Sequence, residues 1–139
     1  MNIIFDYQIF SQQSYGGISR YFYEISKHNS YSNNNVCILS PIYINNYISR
    51  NKNEVNVYGI KIPYIKKSLK IIKFINYCLS HGQLKKLSPD ILHETYYSKK
   101  SISSGREKIV LTVYDMIHEL LPSQFPSSDK TSELKRIAV

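Results

Sequence analysis

The sequence predicts an α/β domain, a parallel β-sheet with helices on both faces. Three observations carry that expectation. The runs Ile3-Ile4-Phe5, Val36-Cys37-Ile38-Leu39 and "KIVLTV" (108–113) are continuously apolar, as strands covered on both sides require. Between them the apolar spacing becomes helical: Ile18, Phe22 and Ile25 fall on one face, with Arg20, Glu24 and Lys27 off it. Strand-like and helix-like segments then alternate along the chain, the order that builds βαβ units.

Each element follows from local chemistry. The first strand ends at Asp6. A helix begins near Ile18 and is stopped by the polar run 28–35, because Asn and Ser favour turns. Ser40-Pro41 stops the second strand, and 45–53 reads as a loop. Residues 55–62 alternate loosely, as a third strand does, up to Pro63. A long helix is predicted over 64–87, with Ile65, Leu69, Ile72 and Leu79 on its apolar side and a possible break at Gly82. Lys66, Lys67, Lys70 and Lys73 form its basic side. Asp90-Ile91-Leu92-His93 is a fourth strand, 98–107 a polar loop, and 108–113 the strongest strand. Ser127-Ser128-Asp129 offers N-caps for a last helix, with Leu134, Ile137 and Ala138 on its apolar face.

The chain has 139 residues, 42% hydrophobic and 20% charged, which suits one globular domain with a real core. No window approaches the roughly 18 consecutive apolar residues of a membrane span. The N-terminus has no basic n-region and reaches Asp6 at once, unlike a signal peptide. Cys37 and Cys78 lie apart in apolar stretches, so two buried free thiols in a reducing cytoplasm are expected, with a disulfide as the alternative. No His, Cys, Asp and Glu set has metal-ligand spacing. The net charge of +8 favours anionic partners: phosphates, nucleotides, nucleic acid or an acidic membrane surface.

In an open parallel sheet ligands bind beyond the carboxyl ends of the strands. Those ends carry Asp6 and Tyr7; His93, Glu94, Thr95 and Tyr96; and Thr112, Tyr114, Asp115 and His118. Gly16 and Gly17 open the first long helix. There they either supply a turn with φ > 0 or let a phosphate approach the helix N-terminus. Asp115 either caps the turn after it or faces the cleft. His93 either bonds backbone in the core or lines the cleft. The lysine face of the long helix is either solvated or laid on an anionic membrane.

Three ordered segments resemble family 4 glycosyltransferases, which have the GT-B fold: "MNIIFDYQIFSQQSYGGISRYFYEI" (1–25), "PDILHETYYS" (89–98) and "KIVLTVYDMIHELLPSQF" (108–125). Residues 40–88 carry little resemblance. The resemblance implies that 1–139 is the Rossmann-like, acceptor-side domain of a two-domain enzyme. That enzyme would transfer a sugar, with retention, from a nucleotide-sugar co-substrate to a polysaccharide or lipid-linked acceptor, without a metal or other cofactor. It implies that Gly16 and Gly17 cradle the donor diphosphate. Asp6, Arg20, His93, Glu94, Tyr96, Tyr114 and His118 would line the cleft, and Asp115 would be the catalytic candidate. Many members have histidine where this chain has Tyr114, and a neutral phenol cannot copy an imidazole's acid–base role. The donor-binding domain with its glutamate pair is not in the sequence. The chain therefore reads as a fragment or truncated gene product, inactive alone; a short helix at the domain edge is the alternative reading of its end. The expected setting is cytoplasmic, with peripheral contact at the inner membrane face through Lys66, Lys67, Lys70 and Lys73. A non-catalytic basic α/β module for membrane, nucleic acid or a protein is the competing function. No RNA-binding signature supports nucleic acid.

Overall fold

The computed structural model describes residues 1–51, 53–114, 117–126 and 131–138. Five strands, all parallel, form one sheet in the order β3-β2-β1-β4-β5. They are β1 (Asn2–Phe5), β2 (Asn35–Tyr43), β3 (Asn56–Lys61), β4 (Ile91–Glu94) and β5 (Lys108–Leu111). The helices are α1 (Gln8–Gln12), α2 (Gly17–Tyr31), α3 (Asn46–Arg50), α4 (Leu69–Leu87), α5 (Ile117–Leu120) and α6 (Thr131–Ala138). The predicted α/β class is the one observed.

Strand alternation sorts the core into two layers. Ile3, Phe5, Val36 and Ile38 point to one face and pack with Phe22 and Tyr23 of α2. Ile4, Leu39 and Leu92 point to the other face and pack with Leu84 of α4 and Ile102 of the β4–β5 loop. The continuous apolar runs of β1 and β2 are thus explained, since each feeds both layers. The order of pairing reverses beside β1, with β2 and β3 on one side and β4 and β5 on the other. The carboxyl ends of β1 and β4 therefore flank the topological switch point, where α/β sheets open a crevice.

Several elements differ from the sequence expectation. Helix α2 runs on to Tyr31, and within it the Asn29 and Ser30 side chains turn back to the carbonyls of Ile25 and Ser26. Strand β2 continues through Ser40-Pro41 to Tyr43. It tolerates the proline because the ladder bulges there, with one more residue in β2 than in β3 between the pairs Leu39–Tyr58 and Ile42–Ile60. Asn76 closes the bulge: its Nδ2 donates to Ile42 O and its Oδ1 accepts from Ile42 N, both at 2.8 Å. Residues 46–50 form α3, capped by the Asn45 carboxamide, where a loop was expected.

The largest correction concerns the long helix. It begins at Leu69, so Lys66 and Lys67 precede it, and it passes through Gly82 unbroken. Its buried residues are Ile72, Asn76, Ser80 and Leu84. Ile65 and Leu79 are exposed, as are Ile71, Phe74 and Ile75. Two polar residues face inward and a cluster of large apolar ones faces out. The thiols also differ from expectation: both are free, but Cys37 is only half-buried and Cys78 is exposed. Strand β5 is an edge strand that ends at Leu111, with Ile109 and Val110 open to solvent. The caps expected at 127–129 lie outside the described residues.

Candidate functional site

The switch-point group is assembled by β1, β4, the first turn beyond each and the segment after β5. Asp6 is 1% exposed, and its carboxylate is enclosed by protein donors. Oδ1 accepts from Thr95 N at 2.9 Å, from Thr95 Oγ1 at 2.5 Å and from Gln8 N at 3.2 Å; Oδ2 accepts from Gln8 Nε2 at 2.8 Å. Thr95 Oγ1 in turn accepts from Ile9 N at 3.1 Å. Asp6 thus ties the loop after β1 to the loop after β4. Burial still outweighs these bonds and pushes its pKa up to about 6.

His93 is the neighbour of Phe5 across the β1–β4 ladder and stacks on its ring at 5.1 Å. Phe22 meets it edge-on at 5.1 Å, and its Nε2 lies 3.0 Å from Thr112 Oγ1. Loss of water around the ring lowers the pKa to about 4, so the imidazole is neutral at pH 7. Tyr114 completes this wall. Its N–H donates to Tyr97 Oη at 3.1 Å and its hydroxyl to Thr95 O at 3.3 Å. Its ring stands edge-on to Tyr21, Phe22 and Tyr97. Burial raises the phenol pKa, which keeps the hydroxyl protonated.

Glu94 departs from the predicted cluster. It is the next residue after His93 in β4, so its side chain leaves the opposite face of the sheet. It is 4% exposed, its Oε1 has no hydrogen-bond partner, and burial raises its pKa. Tyr96 is half-buried and packs under the α2 layer, 5.3 Å from Tyr97. Arg20 is exposed and 4.0 Å from Glu24 one turn on, an ion pair of little energetic weight. Asp115 and the side chain of His118 lie outside the described residues.

The glycine pair has two different reasons. Gly16 is extended, with φ 171° and ψ 159°, and Gly17 is the first residue of α2. Neither needs the left-handed region, so the turn explanation fails. A Cβ at Gly16 would collide with the Gln13 carboxamide, whose Oε1 accepts from Ser19 N at 3.4 Å. Gly16 therefore makes room for a side chain that caps the first turn of α2. A Cβ at Gly17 would meet nothing within 4 Å, so that position faces open space.

Taken together, His93, Asp6, Thr95 and Tyr114 are brought to one place, as the strand-end rule anticipates. The aromatic partners Tyr21, Phe22 and Tyr97 were not anticipated. The signal available for Tyr21 was its place three residues beyond Ile18, on the same side of α2. At neutral pH this wall offers a neutral imidazole and a protonated phenol among aromatic rings. Such groups suit hydrogen bonds to hydroxyls and stacking on a flat ring better than proton transfer. No group of His, Cys, Asp and Glu among the described residues is arranged to hold a metal. Comparison with protein-family models, curated proteins and solved structures finds no match to this chain.

Proposed function

We propose that this chain forms the acceptor-side wall of a sugar-nucleotide-dependent glycosyltransferase of the GT-B type. One observation carries the reading: Asp6, His93, Thr95 and Tyr114 converge at the carboxyl ends of β1 and β4, where the strand order reverses. The three segments resembling family 4 glycosyltransferases supply these residues and the Gly16-Gly17 pair. In this reading the donor diphosphate lies against the start of α2, where the N–H groups of Gly17 and Ile18, ahead of the Ser19 N–H that Gln13 caps, and the helix dipole favour an anion. His93 and Tyr114 orient an acceptor hydroxyl, and Asp6 acts through Thr95 as a positioning residue. Asp115 remains the proposed catalytic group beside the transferred sugar. The chain alone is expected to show no sugar-nucleotide turnover.

Gly17→Ala separates this role from a structural one. The substitution is expected to leave stability unchanged or raise it by up to about 1 kcal/mol, since alanine is the better helix residue and meets no neighbour. Affinity for a nucleoside diphosphate, measured by titration calorimetry, is expected to fall about tenfold, or roughly 1.4 kcal/mol. Unchanged affinity with raised stability would contradict the phosphate role.

The acceptor is proposed to be glycan or lipid-linked, with the chain resting peripherally on an anionic membrane. No helix among the described residues is long and apolar enough to cross one. Residues 55–89 hold seven lysines and no acidic residue, and α4 exposes Ile71, Phe74, Ile75 and Leu79 among them. That combination fits a helix lying in the headgroup region. Charge reversal at Lys66, Lys67 and Lys70 is expected to abolish sedimentation with anionic liposomes. Undiminished binding would reject the contact.

A further inference from the structure

On the α4 side of the sheet a cavity of about 330 Å³ opens between the start of α1, the middle of α4 and the segment after β4. Tyr7, Tyr77 and Tyr97 contribute ring surface, and Lys73 and Lys100 stand among them. Lys100 Nζ lies 5.9 Å from the centre of the Tyr77 ring. Lys99, also on the wall, pairs with Glu133 at 3.1 Å. Lys73 and Lys100 have no ion-pair partner among the described residues. Lys73 is exposed as a residue, yet its ammonium loses enough water to the wall for its pKa to be lowered. Two ammonium groups beside aromatic surface form a site that an anion would complete. Asp6 and Glu94 are the carboxylates acting on Tyr7 from the sheet side. The Asp6 carboxylate is enclosed by donors from Thr95 and Gln8, which tempers its opposition to an anion.

Phe74 gives the ligand a second property. It lines the cavity and is 69% exposed, so it joins the cavity to the outer apolar face of α4. A ligand seated here meets cations at one end and an apolar surface at the other. We infer that this cavity seats the phosphate headgroup of an anionic lipid, whose acyl chain runs past Phe74 along the outer face of α4. The inference rests on the membrane-facing reading of α4 and adds to it a defined site, as distinct from general attraction of lysines to a charged surface.

The test compares two charge-matched pairs on the intact chain. Lys73→Gln with Lys100→Gln removes the cavity cations. Lys85→Gln with Lys86→Gln removes two exposed lysines from the last turn of α4, outside the cavity. Binding is measured by sedimentation with phosphatidylcholine vesicles containing phosphatidic acid. A diffuse surface charge gives both pairs similar losses, because each lysine near the surface contributes a similar amount. The site gives the cavity pair a loss at least about tenfold greater than the other pair. Glycerol 3-phosphate without vesicles is also expected to shift the amide resonances of Tyr77 and Tyr97. Equal losses, or unmoved amides, would overturn the site. Shifted amides with no vesicle binding by the unsubstituted chain would overturn the lipid as ligand and leave a soluble phosphate monoester in its place.

Discussion

Replacing Gly59 by alanine is expected to cost more than about 3 kcal/mol, a large share of the total stability of an ordinary domain. Gly59 sits in β3 with φ +146°, a conformation that L side chains rarely adopt. A Cβ there would run into the backbone carbonyl of Ser40, in the bulge that carries Pro41. Neither obstacle is the flexible end of a side chain, so the sheet must deform. Gly82→Ala is the internal comparison. Gly82 lies inside α4 with nothing within 4 Å of a new Cβ, so it should stabilise by about 0.5–1 kcal/mol. Denaturant midpoints at constant slope measure both effects. A Gly59→Ala midpoint close to that of the unsubstituted chain would refute the bulge geometry.

The second large effect is a hidden pH dependence at the switch point. Asp6 is pushed up to about 6 in the folded chain from an ordinary 3.8. The fold therefore binds a proton that the unfolded chain has lost, and stability falls as pH rises through this interval. The shift is worth about 3 kcal/mol, since one pKa unit is about 1.4 kcal/mol. His93 is lowered to about 4 from 6.5. Here the unfolded chain holds the extra proton, so stability rises with pH over nearly the same interval. The His93 contribution is the smaller, because its ring is only half-buried and solvent screens it. In the unsubstituted chain the two slopes oppose each other between pH about 4 and about 6.

Asp6→Asn should unmask the histidine. Its carbonyl oxygen still accepts from Thr95, the Gln8 amide turns to accept from the new NH₂, and the buried charge is gone. Stability of this variant should climb steadily from pH about 4 to about 6.5 and match or exceed the unsubstituted chain at pH about 8. His93→Gln should do the reverse, with stability falling as pH rises to about 6. Parallel pH profiles for all three proteins would mean that neither group titrates as its surroundings imply.

What the sequence disclosed follows the range of the interactions involved. Strands β1 and β4 were legible because their side chains feed two apolar layers and the run itself shows it. Strand β2 was cut short at Ser40-Pro41, because its continuation depends on Asn76, 34 residues away, bonding both groups of Ile42. The inward face of α4 is hidden from the sequence for the same reason. Its inward residues include Asn76 and Ser80, so the buried side is polar in part and hydrophobic spacing points the wrong way. At the site, the strand-end rule located Asp6, His93, Thr95 and Tyr114. It could not show that Asp6 turns inward to Thr95, 89 residues away, in place of facing the crevice. Nor could it show that strand alternation parts His93 from Glu94, although that follows once β4 is accepted. Gly16 stands out in the sequence through its neighbour Gly17, yet its reason is the Gln13 carboxamide packed against it.

The glycosyltransferase reading requires a nucleoside diphosphate to bind at the start of α2. Amide resonances of the ¹⁵N-labelled chain, followed while UDP, GDP and ADP are added in turn to about 5 mM, test this directly, since a site with Kd near 1 mM would then be mostly filled. At least one nucleotide is predicted to shift the Gly17, Ile18 and Ser19 amides together, with inorganic phosphate moving the same peaks less. Unmoved α2 amides with all three, or shifts confined to the lysines of α4, would contradict the glycosyltransferase reading of this chain.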